Sequence, residues 1–364
     1  MDNNNMIQEL EKEISKLKEK SFTLYFAVYD TKGKPSTSLS YIYRTAKQLN
    51  ELGYNVAMLY AEQDFVGVEG WLGKEYAELP HKNMSDEKET ITISPSDFLF
   101  IPEIYQGIFT KTKNLPCRRI AIIQNYKYLT DSIPAGVSFD DLNIRECIVP
   151  SNAMAKRIKS VFPYLKIHIV RPYITDDFTK VEVKKPIINV IIDEQVDANE
   201  IIKAFYWKYP IYSWIPFRPV NNLPHEEYVK ALKESFATLW CDTRTEFGNV
   251  ALESMKCGNL VIGKVPENDI DWLYEKDGSI KQNGLWFLKN DDAQEAIAAA
   301  IQTFLTEAVP AEVFNKMEDT VSVYTKEGQL SDIKEVYEKN IFENRQKELE
   351  VLLGNLNSKN SEEK

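Results

Sequence analysis

Apolar residues at positions 7, 10, 14 and 17, with Glu and Lys between them, open the chain as an amphipathic helix over residues 6–20. A helix this short is unstable alone, so it packs on the body of the protein or pairs with a second copy, making a homodimer through the N-terminal helix one expectation. From residue 22 the pattern changes. Residues 22–29 are β-rich, 30–38 are turn formers and hydroxyls, 41–52 carry a helical stripe stopped by Gly53, and 55–60 are again apolar. This β-loop-α-β order starts a parallel α/β sheet, in which ligands sit beyond the carboxyl ends of the strands. The stretch 62–90, with Gly67, Gly70, Gly73, Pro80 and the charged run 86–89, reads as a surface excursion. Strands follow at 97–102, 119–125, 146–150 and 166–170, with a helix at 153–162.

The polar segment 174–186 then interrupts the apolar rhythm, and a second α/β series begins. It runs strand 186–192, helix 197–209, extended 212–217, helix 223–234, strand 236–240, a loop and short helix, strand 260–263, short strand 285–288 and an alanine-rich helix 291–305. Two helices, about 311–325 and 330–353, and a polar tail, 358–364, expected to be disordered, complete it. The expected division is therefore an N-terminal helix (1–20), a first domain (21–174), a linker (175–186), a second domain (187–310) and C-terminal helices with a tail (311–364).

Composition narrows the function classes. The 364 residues suffice for two cores, and 43% hydrophobic with 27% charged residues is an ordinary globular balance. No apolar run approaches the length of a membrane span, and the polar start lacks a signal-peptide core, so a cytoplasmic protein is expected. Cys117, Cys147, Cys241 and Cys257 are scattered, as reduced buried thiols would be. His81, His168 and His225 lack metal-ligand spacing, so neither a metal nor a cofactor is expected. A net charge of −11 argues against nucleic acid as the partner.

The stretch most able to carry chemistry is 245–259, Thr-Glu-Phe-Gly-Asn-Val-Ala-Leu-Glu-Ser-Met-Lys-Cys-Gly-Asn, set between the apolar runs 236–240 and 260–263. A helix beginning at Phe247-Gly248-Asn249 presents unpaired amides and the positive end of its dipole, a ready anion site. Glu253, on the same helix, can reach a neighbouring hydroxyl. An ordinary capped helix would read the same way, so its place in the chain matters. On the first half, Ser36, Thr37 and Ser38 follow strand one, and Asn125 and Tyr126 follow the 119–125 strand, all at a ligand edge. Helix capping is the plainer role of those hydroxyls.

Three stretches together resemble the GT-B glycosyltransferases, in particular the family 4 retaining type. They are 146–155 (Glu-Cys-Ile-Val-Pro-Ser-Asn-Ala-Met-Ala), 167–174 (Ile-His-Ile-Val-Arg-Pro-Tyr-Ile) and the donor motif 246–258. The resemblance spans roughly residues 21–305 and implies two Rossmann-like domains facing a central cleft. It implies a nucleotide diphosphate sugar as donor, held by Glu253 at the ribose and by the backbone of Gly248, Asn249 and Val250 at the diphosphate. Thr245 and Phe247 belong to the same donor motif. Thr245 occupies the place of the family's first acid, and Glu246, one position later, is the candidate catalytic residue. The family's basic pair at the start of the second domain is replaced by Asp193-Glu194-Gln195-Val196-Asp197, with Lys203 beyond. Arg218 or Arg244 is the expected substitute cation, and a surface or acid-paired arginine is the plainer role of each. The family implies transfer with retention, and the acceptor, unknown, is expected near 30–40, 102–105 and 124–126, with Ser36, Thr37, Ser38, Asn125 and Tyr126 as its candidate residues. The alternatives are a GT-B-like binding or structural protein, a nucleic-acid-modifying sugar transferase, or a nucleotide-sugar epimerase of related fold.

Overall fold

The computed structural model of the chain describes residues 3–86, 91–105, 107–192, 198–306 and 311–362. Contacts divide the chain into two units. The first comprises residues 1–150, 154–170 and 330–364, the second 151–153 and 171–329.

The elements of the first unit run α1 (Asn3–Lys18), β1 (Thr23–Ala27), α2 (Thr37–Glu51), β2 (Asn55–Tyr60), α3 (Lys74–Ala77), β3 (His81–Asn83), β4 (Phe98–Pro102), α4 (Ile108–Lys111), β5 (Arg118–Ile122), α5 (Tyr126–Ser132), β6 (Glu146–Val149), α6 (Asn152–Val161) and β7 (Lys166–Ile169). The sheet order is β3-β2-β1-β4-β5-β6-β7, and every pairing is parallel. Alternation along β1 feeds two cores. Leu24, Phe26 and Val28 pack on one face of the sheet with α2, while Tyr25 and Ala27 pack on the other with residues of α4, α5 and α6.

The second unit holds β8 (Lys185–Ile192), α7 (Ala198–Lys208), β9 (Phe217–Pro219), α8 (His225–Glu234), β10 (Ser235–Cys241), α9 (Asn249–Lys256), β11 (Leu260–Lys264), β12 (Leu285–Phe287), α10 (Ala293–Thr306) and α11 (Ala311–Ser322). Its parallel sheet has the order β12-β11-β10-β8-β9. β10 is buried at all seven positions, as the central strand of a doubly covered sheet must be. A final helical run, α12 (Lys326–Ile333), a π-helical stretch (Lys334–Phe342) and α13 (Glu343–Glu362), returns the chain to the first unit.

Several expectations change. The 62–90 excursion contains β3, whose three half-buried polar residues pair with Met58, Leu59 and Tyr60 and gave no alternating signal. Residues 212–217, expected to be extended, begin with a 3-10 turn at Pro210–Tyr212 and reach the sheet only at Phe217. The tail expected to be disordered from 358 is helical through Glu362. The helices of 311–364 are shared between the units rather than forming one appendage. The C-terminal half of the N-terminal helix packs on the body of the protein, the first of the two expected outcomes. Ile14 and Leu17 are buried in this chain's own core, alongside Phe342 and Leu349 from its far end. Among the described residues, no single helix is long and apolar enough to cross a membrane. All four cysteines are free and buried, and burial pushes each thiol up to about 12.

Candidate functional site

At the carboxyl end of β10 the chain turns through 242–248 into α9. Gly248 makes the turn possible. Its φ of +78° lies in the left-handed region, and a Cβ there would stand 2.8 Å from Trp272 Cζ2 and 3.1 Å from Trp240 Cζ2. The loop is fixed from within and from behind. The Gly248 amide donates to Thr245 Oγ1 at 2.9 Å. The Trp272 indole donates to the Phe247 carbonyl at 2.6 Å, and Asn268 Nδ2 donates to the carbonyls of Arg244 and Thr245 at 3.2 and 3.3 Å. The Glu267 amide donates to the Thr243 carbonyl at 2.9 Å. The segment after β11 thus braces the loop after β10. Asn249 and Val250 then head α9, and their amides come too early in the helix to have partners within it. They stand at the positive end of its dipole.

This geometry redistributes the expected roles. Thr245, in the place of the family's first acid, is a turn-holding acceptor. The Gly248 amide is spent on it, which leaves those of Asn249 and Val250 as the pair heading the helix. Phe247 is 8% exposed and meets the Tyr324 ring edge-on at 5.3 Å, so it wedges the loop into the core. Glu246 is half-buried in the loop, and Arg244 is exposed beside it. Glu253, half-buried one turn into α9, accepts a 2.6 Å hydrogen bond from the hydroxyl of Tyr228 on α8.

Arg218 is not brought to the turn. Its Nε donates to Asn189 Oδ1 at 3.0 Å, its Nη2 to the Ala231 carbonyl at 2.6 Å, and its Nη1 lies 3.7 Å from the Glu234 carboxylate. Glu234 ends α8 just before β10 begins, so these bonds hold Arg218 towards the amino end of the sheet. The sequence reading missed Lys264. It closes β11 beside Cys241, with Nζ donating to Asn290 Oδ1 at 2.9 Å. A lysine ending an apolar run just after the motif was the available signal. Residues 193–197, where the family's basic pair was sought, lie outside the described residues, and Lys203 is exposed on α7.

The carboxyl edge of the first unit's sheet is also tied together. Ser36 caps α2, its Oγ accepting from the Leu39 amide at 3.3 Å and sharing a hydrogen bond with Tyr29. Thr37 is exposed, and the Ser38 carbonyl accepts from Gln124 Nε2 at 3.1 Å. Asn125 caps α5 through Oδ1, while its amide and that of Gln124 donate to Glu103 Oε1 at 2.7 and 3.1 Å. The Tyr126 ring carries the Arg157 guanidinium 4.0 Å from its centre. Glu103, 1% exposed just after β4 and within the 102–105 stretch expected at the acceptor edge, is the hub of these bonds. Nearby, burial and the Glu62 charge push the Tyr105 hydroxyl up to about 12.

Comparison with known proteins agrees with this architecture. A sucrose-phosphate synthase from Thermosynechococcus elongatus superposes with a TM-score of 0.56 at 12% identity, covering 87% of this chain and 98% of that one. The pneumococcal O-GlcNAc transferase GtfA, in complex with UDP and GlcNAc, gives 0.60 at 10% identity over 87% and 99%. The chain has the GT-B glycosyltransferase fold. An α-glucosyltransferase in complex with UDP and a 13-mer DNA containing an HMU base gives 0.59 at 11% identity over 85% and 99%. In sequence, the chain is 24% identical over 229 residues to an alpha-1,6-glucosyltransferase of Actinobacillus pleuropneumoniae serotype 7 (strain AP76), covering 62% of this chain and 67% of that one. No protein-family profile matches the chain.

Proposed function

We propose that this GT-B chain is a retaining glycosyltransferase that moves a hexosyl unit, glucose first among the candidates, from a nucleotide diphosphate sugar to an acceptor hydroxyl. The observation that carries the reading is the α9 turn. A left-handed glycine backed by two indoles delivers two helix-heading amides at the carboxyl end of the central strand, with a carboxylate one turn further on. The similarity to a curated glucosyltransferase and the UDP held by two neighbours of the same fold support the choice of substrate class.

In this reading the diphosphate meets the Asn249 and Val250 amides, with Arg244 on the same loop and Lys264 at the end of the neighbouring strand as the candidate cations. Glu253 takes the ribose hydroxyls. As the glycosidic bond breaks, negative charge grows on the β-phosphate, and dipoles already fixed in place stabilise it most at the transition state. Glu246 faces the sugar, and Ser36, Thr37, Ser38, Asn125 and Tyr126 border the acceptor. The reaction needs no metal or cofactor in this reading. Buried free thiols suit a reducing compartment, the cytoplasm.

Calorimetry and thermal shift with UDP, UDP-glucose and the corresponding ADP, GDP and dTDP compounds test the donor site. At least one binds, and at a hundred times its Kd it stabilises the fold by about 2.7 kcal/mol. Binding by none of them overturns the proposal. Donor hydrolysis that disappears in Glu246→Ala assigns that residue to catalysis. Binding without any turnover favours the binding-protein alternative, which the replacement of the first motif acid by Thr245 supports. The DNA in one neighbour keeps the nucleic-acid alternative open to a direct test. Against a net charge of −11, no DNA retention at physiological salt is the expected result, and retention that falls as salt rises would favour the nucleic-acid alternative.

A further inference from the structure

We propose that Tyr228 is a positioning residue for the donor, holding Glu253 in the one posture that reads the ribose hydroxyls. The inference rests on the nucleotide-sugar reading of the site above and adds a residue that the donor motif does not contain.

Tyr228 lies on α8, 25 positions before Glu253, and donates to Glu253 Oε2 at 2.6 Å. A glutamate on a helix has three soft torsions, and a carboxylate offered to a ligand loses affinity for each rotamer it can adopt instead. The hydroxyl removes that freedom. The tyrosine stays a donor throughout, because burial, and then the charge and hydrogen bond of Glu253, push its hydroxyl well above its ordinary value.

The tyrosine is itself held. The Phe178 ring meets it edge-on, with centroids 5.9 Å apart and planes at 77°, and Phe178 is 1% exposed. Phe178 also meets His225 edge-on at 6.0 Å, and His225 bonds to Asp177. Burial raises the Asp177 carboxyl, but hydrogen bonds from His225 and Thr175 prevail and hold it at about 2. The segment leading into Phe178 is pinned by α9. Lys256 Nζ donates to the carbonyls of Ile174 and Thr175 at 2.9 and 3.1 Å and to Asp176 Oδ1 at 3.0 Å. Lys256 is three residues from Glu253 on the same helix. The contacts therefore close on themselves, from Glu253 to Tyr228, Phe178, residues 174–176, Lys256 and back to α9. A circuit of this kind fixes a side chain far better than one hydrogen bond does.

The test pairs Tyr228→Phe with ribose-edited probes. Calorimetry compares UDP with 2′-deoxy-UDP and 3′-deoxy-UDP on the wild type, on Tyr228→Phe, on Glu253→Gln and on the double variant. The expected result is about a tenfold loss of UDP affinity in Tyr228→Phe, the factor carried by one hydrogen bond to a charged group. That loss shrinks to near nothing for the deoxy probe lacking the hydroxyl that Glu253 holds, and in the Glu253→Gln background. In turnover, KM for the donor rises while kcat changes little. An equal loss on UDP and on both deoxy probes means that Tyr228 acts on the fold and not on ribose, and overturns the inference. So does unchanged affinity for UDP in Tyr228→Phe. If the wild type binds none of the nucleotides, it is the donor-site reading that has failed.

Discussion

Gly248 shows how one residue can carry both fold and site. The left-handed backbone turns the chain from the β10 loop into α9, and the missing side chain lets the backbone lie against Trp240 and Trp272. Alanine there adds roughly 1–2 kcal/mol of backbone strain before any clash with Trp272. Gly248→Ala should lower the urea midpoint accordingly, and should weaken nucleotide binding more than a surface change of equal stability cost. Thr245→Ala probes the neighbouring bond. It leaves the Gly248 amide without its turn partner, so donor affinity should fall even though the residue touches no ligand in the proposed pose. Thr245→Ser should restore it. Calorimetry on the two variants checks the pair.

At the scale of elements, polar anchors set strand ends and helix positions. Glu146 at the start of β6 accepts from His168 of β7 at 2.8 Å and from Arg118 of β5, which also reaches Glu348 on α13 at 3.2 Å. Burial raises the Glu146 carboxyl, but His168 and Arg118 outweigh it and hold it at about 2 against an ordinary 4.5. The folded value is the lower one, so this group adds stability above pH 4.5 and loses it as the pH falls from there towards 2. Acid unfolding of the wild type should steepen in that window, whereas Glu146→Gln should be less stable at neutral pH and flatter across it. The helix α1 is an element of the core. Leu17→Ala should cost about 2–5 kcal/mol, as large-to-small core changes do. Sedimentation should show the same oligomeric state before and after the change, because the apolar stripe is used inside this chain.

For the whole molecule, the notable fact is that the chain leaves the first unit at residue 170 and returns to it at 330. Val336, Tyr337, Ile341, Phe342 and Leu349 join a core with Phe22, Phe98 and Phe100. A chain stopped at Thr325 should therefore expose that face of the first sheet. Limited proteolysis should cut the first unit of the truncated chain rapidly and leave the second comparatively protected, although the removed residues resemble a tail. Equal protection of both units would mean that the first core is complete without them.

Local chemistry was legible along the chain wherever neighbours in sequence decide the outcome. The runs behind β1, β4 and β10 are apolar on both faces, Gly53 and Gly258 stop helices, and Gly248 followed by Glu253 spaces an anion-type turn from a carboxylate. The two α/β series and the parallel order came from such short-range patterns, while the donor reading of 246–258 came from the family resemblance. Partners far apart in the chain were not legible. Tyr228 reaches Glu253, Trp272 and Asn268 brace the 242–248 loop, and Glu103 collects the amides of Gln124 and Asn125 only because the sheets bring strand ends together. Arg218 shows the same limit from the other side. Nothing in its immediate sequence reveals that Asn189, Ala231 and Glu234 claim it at the wrong end of the sheet. Hydrophobic period and turn chemistry depend on adjacent residues and were settled by sequence alone. The direction of a charged side chain depends on which groups surround it, and only the tertiary structure could decide that.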